Sequence, residues 1–159
     1  MKQLQANFVF DQLDFDELSP DERRLVESAV KATDNSYAPY SNFRVGAAVA
    51  LDNGEIVTGA NQENAAYPSG LCAERTALFS AQAQYPAQPV KMLAIAARNE
   101  SGLLELPITP CGACRQVIVG VEDRYGKPMK ILLYGKSCVY RIHSAKDLLP
   151  LSFVDSSLQ

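Results

Sequence analysis

Apolar positions recur along this chain in two different rhythms, and the rhythm separates helices from strands. After Ser19-Pro20-Asp21-Glu22, the residues Leu25, Val26, Ala29 and Val30 repeat at helical spacing, which predicts a helix over 20–34 with one buried face. Ser19 is placed to cap it, Pro20 suits the first turn, and Glu22 completes a capping box. Tyr37-Ala38-Pro39-Tyr40 breaks the pattern. Residues 43–51 then read as a strand, Asp52-Asn53-Gly54 as a tight turn, and 55–60 as its hairpin partner. The small side chains of Gly46, Ala47 and Ala48 predict that another element packs very close to this strand. A Leu-Cys-Ala-Glu-Arg-Thr-Ala-Leu run opens a helix at about 71–84. The almost unbroken apolar run of 90–98 is the pattern of a strand covered on both faces. A helix over 111–124 follows Pro110, strands are expected at 130–135 and 138–142, and Ser144 with Asp147 caps a final short helix. Strands alternating with helices predict an α/β layered domain around one mixed sheet.

Composition narrows the class. The chain of 159 residues is 47% apolar, enough for one globular domain with a single substantial core, and no repeat or linker divides it. A net charge of −3 argues against nucleic acid as a partner. No apolar run approaches the roughly 18 residues that a membrane span needs. The first residues, MKQLQANFVFDQLDFDEL, lack the apolar block of a signal peptide, so a cytoplasmic location is expected. In that compartment thiols stay reduced, and the four cysteines read as metal ligands, catalytic groups or buried apolar residues before they read as disulfides.

Three of these cysteines carry candidate chemistry. Cys111-Gly112-Ala113-Cys114 and Cys72 both sit at predicted helix starts, and Glu74 lies two residues beyond Cys72. Two thiolates from one helical turn and a third from a neighbouring helix make a tripod for a tetrahedral metal, and soft sulfur donors select zinc. Helix N-termini favour the thiolate form. A three-ligand site leaves a position for water, whose pKa zinc lowers toward about 7, and Glu74 could shuttle its proton. Two other readings of the CxxC remain open here. One is a thioredoxin-like dithiol, although the chain has no Trp beside it. The other is a closed structural zinc site with Cys138 or His143 as fourth ligand.

The run Cys72-Ala73-Glu74-Arg75, with Pro110-Cys111-Gly112-Ala113-Cys114-Arg115-Gln116, resembles the signature of the cytidine deaminases, with Cys in place of the His found in the editing deaminases. Ala38–Ala48, Thr58–Tyr67 and the C-terminal Asp147-Leu148-Leu149-Pro150 with Ser152-Phe153 extend the resemblance over roughly residues 20–155. It is closest to the small homotetrameric, three-cysteine members. Residues 1–18 then stand outside it as an N-terminal extension to a single domain of 19–159, and 99–109 is a longer stretch than the pattern requires.

The resemblance implies an α/β/α sandwich with a five-stranded mixed sheet and one zinc ion per chain on Cys72, Cys111 and Cys114. It implies hydrolytic deamination of cytidine and 2′-deoxycytidine with release of ammonia, Glu74 moving the protons. Asn61 and Glu63 would hold the ribose 3′-hydroxyl and Phe43 would pack against the nucleoside. The backbone of Ala73, with Glu74, would read the cytosine edge. Arg75 and Gln116 would offset the negative charge of three thiolates. Ala65, Tyr67 and Phe153 would close the pocket of a neighbouring chain in a homotetramer. A related deaminase acting on a nucleoside-like antibiotic such as blasticidin S is the alternative activity; Asn61, Glu63 and Asn64 favour cytidine.

Overall fold

A computed structural model describes residues 1–158. Seven strands form one sheet: β1 (Phe10–Leu13), β2 (Arg44–Leu51), β3 (Ile56–Ala60), β4 (Val90–Asn99), β5 (Gly102–Leu103), β6 (Lys130–Tyr134) and β7 (Val139–Ile142). Three helices flank it: α1 (Pro20–Ala32), α2 (Ala73–Gln84) and α3 (Gly112–Tyr125). The strand order is β1-β7-β6-β4-β2-β3, with β5 paired to β4. Only β4 and β6 run parallel, joined through α3; every other pairing is antiparallel. The α/β/α layering expected from the sequence is present, with the five expected strands at its centre and two more that were not expected. Both additions come from the stretches outside the pattern. Phe10–Leu13 pairs with β7 along the sheet edge, and Gly102–Leu103 turns back on the end of β4. No helix is long and apolar enough to cross a membrane among the described residues.

The strands sort their side chains by alternation. Val45, Ala47 and Val49 face a core shared with α2 and α3, where Leu78, Ile118 and Val119 are fully buried. Ala48, Ala94, Ala96 and Leu132 face the opposite core under Leu25, Val26 and Ala29 of α1. Two glycines set how closely these layers approach. A Cβ on Gly46 would stand 2.2 Å from the Ala29 carbonyl oxygen of α1, and one on Gly59 would stand 2.4 Å from the Ala77 nitrogen of α2. The missing side chains are what let α1 and α2 lie directly on the β2–β3 hairpin, as the run of small residues predicted.

Helix α1 starts with its capping box in place: the Ser19 N–H donates to Glu22 at 2.9 Å, and the Glu22 N–H donates to the Ser19 hydroxyl at 3.4 Å. It ends at Ala32 and passes into a single 3₁₀ turn, Thr33–Asn35. The final short helix is likewise 3₁₀, Ala145–Leu148, with the Ser144 hydroxyl accepting from the Lys146 N–H. Cys72 and Cys111 occupy the N-cap positions of α2 and α3. Neither side chain caps its helix by a hydrogen bond to the first-turn backbone, and the two thiols face each other instead.

Candidate active site

The starts of α2 and α3 bring three sulfur atoms together. Cys72, Cys111 and Cys114 all lie within 4.8 Å of one another, and Cys72 Sγ is 3.9 Å from Cys111 Sγ. A tetrahedral zinc ion with bonds of about 2.3 Å keeps its sulfurs about 3.8 Å apart, so the spacing fits that ion. It is far too long for a disulfide, and all four cysteines are free thiols. The protons of the cluster are shared unequally. The Cys72 thiol is lowered to about 5 by the hydrogen bond from Cys114 and, against the effect of burial, by the Arg75 guanidinium. The Cys114 thiol is pushed far upward, because it keeps the shared proton and is buried.

Neither proposed fourth ligand belongs to the cluster. Cys138 is buried just ahead of β7, touched by the Ser137 hydroxyl. His143 is half exposed and pairs with Asp11 of β1 at 3.1 Å. Among the described residues the donor set is three thiols, as an open zinc site requires.

Glu74 sits in the first turn of α2 with 4% of its surface exposed. Burial pushes its carboxyl above the usual range, and the Cys72 thiolate adds to that. The Cys114 thiol faces it. Arg75, one residue on, donates from Nη2 to Cys72 Sγ at 3.4 Å, the contact expected of a residue that offsets thiolate charge. Gln116 does something else. Its Nε2 donates to the Phe153 carbonyl at 2.7 Å, so in this chain it anchors the C-terminal segment instead of a sulfur.

An open cavity of about 510 Å³ leads to the cluster, with Cys72, Arg75, Asn61, Glu63, Tyr40 and Tyr67 on its wall. Asn61 and Glu63 both reach the cavity, and both also hold the loop beneath it. The Asn61 amide donates to the Phe43 carbonyl at 2.9 Å, and its oxygen accepts from the Val45 N–H at 2.8 Å and from the Ser36 hydroxyl. Glu63 accepts from the Tyr40 N–H at 2.9 Å, the Ser41 N–H at 3.3 Å and the Ser41 hydroxyl, which keep its carboxyl below the usual range. The sequence offered no sign of this second duty, since the partners lie some twenty residues away. Phe43 is half buried against the core that backs α2 and α3. Ala73 is fully buried, Ala65 is exposed, and Phe153 stands 61% exposed. None of these four lines the cavity.

Sequence comparison agrees with the geometry. Residues 19–125 match the family described as the cytidine and deoxycytidylate deaminase zinc-binding region. That span includes Glu74 and all three clustered thiols. This chain belongs to the cytidine deaminase family. Cys72, Cys111 and Cys114 are the zinc ligands, which makes it a member of the three-cysteine type. The cytidine deaminase of Halalkalibacterium halodurans is 42% identical over 98 residues, 62% of this chain and 70% of that protein. The cytidine deaminase of Sporosarcina psychrophila is 45% identical over 98 residues, 62% of this chain and 68% of that protein. Among solved structures, the cytidine deaminase from Burkholderia pseudomallei superposes with a TM-score of 0.69 at 43% identity, covering 82% of this chain and 97% of the other. The cytidine deaminase from Mycobacterium tuberculosis gives 0.66 at 32% identity, covering 85% of this chain and 98% of that one.

Proposed function

We propose that this chain hydrolyses the exocyclic amine of cytidine and 2′-deoxycytidine, consuming water and releasing ammonia and the uracil nucleoside. The observation that carries this reading is the buried Glu74 carboxyl set two residues from Cys72, against a three-thiol cluster at the end of an open cavity. Zinc held by Cys72, Cys111 and Cys114 is a Lewis acid that lowers the pKa of water toward about 7. Glu74 takes the proton of the attacking water, delivers it to N3 of the base, and then helps protonate the departing amine. Its burial suits the task, because a carboxyl raised in pKa accepts and returns a proton near neutrality with less bias. Arg75 tempers the negative charge that three thiolates place on the site.

Asn61 and Glu63 position the ribose. The hydrogen bonds that hold them to the 36–45 loop fix their polar atoms before substrate arrives, and the remaining amide hydrogen and carboxylate lone pairs are available to the sugar hydroxyls. Phe43 and the Ala73 backbone, which stand outside the cavity wall of the single chain, come against the nucleoside and the base edge, beside Glu74, once substrate fills the site. The ionised Glu63 on the cavity wall disfavours a phosphate. Cytidine is therefore expected to release ammonia while CMP and free cytosine react poorly. Comparison of kcat/KM for the three, alongside zinc content, tests this; equal values for CMP and cytidine would overturn it. Residues 19–159 carry the activity, and 1–18 are an added segment whose strand lengthens the sheet. A reducing cytoplasm suits the thiol ligands.

The pocket is completed by other copies of the chain in a homotetramer. Phe153 at 61% and Tyr67 at 75% exposure are large apolar side chains left uncovered in one protomer, and Ala65 lies beside Tyr67 on the same exposed loop. Mixing tests it. Glu74→Gln chains lack the proton carrier but can lend Phe153, whereas Phe153→Ala chains keep Glu74. Co-refolded mixtures should regain activity that neither variant shows alone. Mixed oligomers whose activity is only the average of the parents would place Phe153 in its own chain.

A further inference from the structure

The C-terminal segment runs along α3 and back, and α3 side chains hold it at each level. Glu122 accepts from the Ser144 hydroxyl at 2.6 Å and the Ala145 N–H at 2.7 Å. Two turns nearer the start of α3, the Leu148 carbonyl is held by Arg115. The chain reverses at Pro150–Leu151, where Leu151 has φ +56, and returns past Gln116 to Asp123, which accepts from the Asp155 N–H. The bend of this strap therefore lies at the end of α3 that carries Cys111 and Cys114.

Among the described residues, Arg115 is the one side chain hydrogen-bonded to both the strap and the cysteine loop. Its Nε donates to the Pro110 carbonyl at 2.8 Å and its Nη1 to the Leu148 carbonyl at 2.9 Å. Pro110 and Leu148 are both buried, so losing the guanidinium would leave two carbonyls with reduced access to water as a replacement partner. Pro110 precedes Cys111 and has no N–H of its own, so its carbonyl is the group by which a side chain can tether the chain just before the first ligand of α3. The planar fork of arginine meets two carbonyls at once, which a lysine ammonium on a single stem does less well.

We infer that Arg115 is a positioning residue that locks the Cys111–Cys114 zinc loop to the C-terminal strap. The inference rests on the three-cysteine zinc reading above. It acts through the loop backbone, so its loss should alter the geometry and lifetime of the metal site. Outer partners of metal ligands are typically worth about 10–100-fold in metal affinity.

The test uses full-length chain loaded with zinc or with cobalt(II). Arg115→Gln is expected to release zinc to a chelator about 10–100-fold faster than wild type and to shift the cobalt–thiolate absorption bands. Arg115→Lys, which keeps stem and charge and guards against a misfolded glutamine variant, should recover only part of the loss. Glu122→Gln loosens the strap at its far end without touching the cysteine loop, and should lower thermal stability while leaving zinc release and the cobalt bands close to wild type. Wild-type release and unshifted bands in both Arg115 variants would overturn the role of Arg115 alone, as would equal acceleration in Glu122→Gln. A wild-type chain showing no cobalt–thiolate bands would overturn the zinc reading and this inference with it.

Discussion

Glu74→Gln is expected to keep the zinc and the fold and to lose turnover by roughly 10²–10⁴-fold, at the upper end because the proposed mechanism routes every proton transfer through this one carboxyl. The substitution is isosteric and lies in the first turn of α2, where an amide is accommodated as readily as an acid. Glu74 is 4% exposed and its carboxyl is raised chiefly by burial, so the charged form is costly in the folded state. Replacing it with a neutral amide should leave thermal stability unchanged or slightly higher. The amide still donates and accepts hydrogen bonds, so binding of a nucleoside should change much less than kcat. Metal analysis, thermal unfolding and single-turnover kinetics separate these quantities. Full zinc occupancy with near wild-type turnover would remove Glu74 from the reaction.

Glu22→Gln is expected to cost about 3 kcal/mol of stability at pH 7, with little effect on the chemistry of a properly folded site. Glu22 is 2% exposed, and burial by itself pushes its carboxyl up. The Lys130 ammonium at 2.9 Å, the Ser19 N–H and the Ser19 hydroxyl outweigh that and hold it at about 2, and the Arg141 guanidinium also contacts it at 3.2 Å. The carboxylate thus ties the start of α1 to β6 and β7, three elements brought together from opposite ends of the chain. Because the folded pKa is depressed, the contribution is fully present above the unfolded value near 4.5 and is lost as pH falls toward about 2. Urea midpoints for wild type and variant should differ most at pH 7, and the gap should shrink to roughly half at pH 3. A gap that does not change with pH would show that the loss comes from packing or from the cap, not from the ionised carboxylate.

How much of this was legible beforehand differs by element. Helix α1 was readable almost to the residue, since its capping box and apolar spacing are local properties of consecutive residues. The five central strands were readable for the same reason, being alternating or wholly apolar runs bounded by turn residues. Phe10–Leu13 was not. A four-residue strand with two charged or amide positions has no distinctive pattern, and it forms because β7 offers an unpaired edge. Gly102–Leu103 is too short to carry a pattern at all.

The same division runs through the site. The spacing within Cys72-Ala73-Glu74 and within Cys111–Cys114 was legible, because N-cap positions and helical turns convert short separations directly into geometry. The motif resemblance joined the two halves into one site; that Cys72 meets Cys111, 39 residues away, is tertiary. Which polar groups meet across the fold could not be read that way. Asn61 bonding Ser36 and Val45, Glu63 bonding Tyr40 and Ser41, Gln116 holding Phe153 rather than a sulfur, and Arg115 joining Pro110 to Leu148 all depend on where separate segments come to rest. By itself the sequence determined the local elements and the metal-binding donor types, since short-range periodicity and residue chemistry encode them, while the layer order was implied by the resemblance of its motifs to a known family. Tertiary structure alone decided the sheet edge, the loop latches and the strap on α3, because a hydrogen bond between distant residues exists only once the core has set the backbones within about 3 Å of contact.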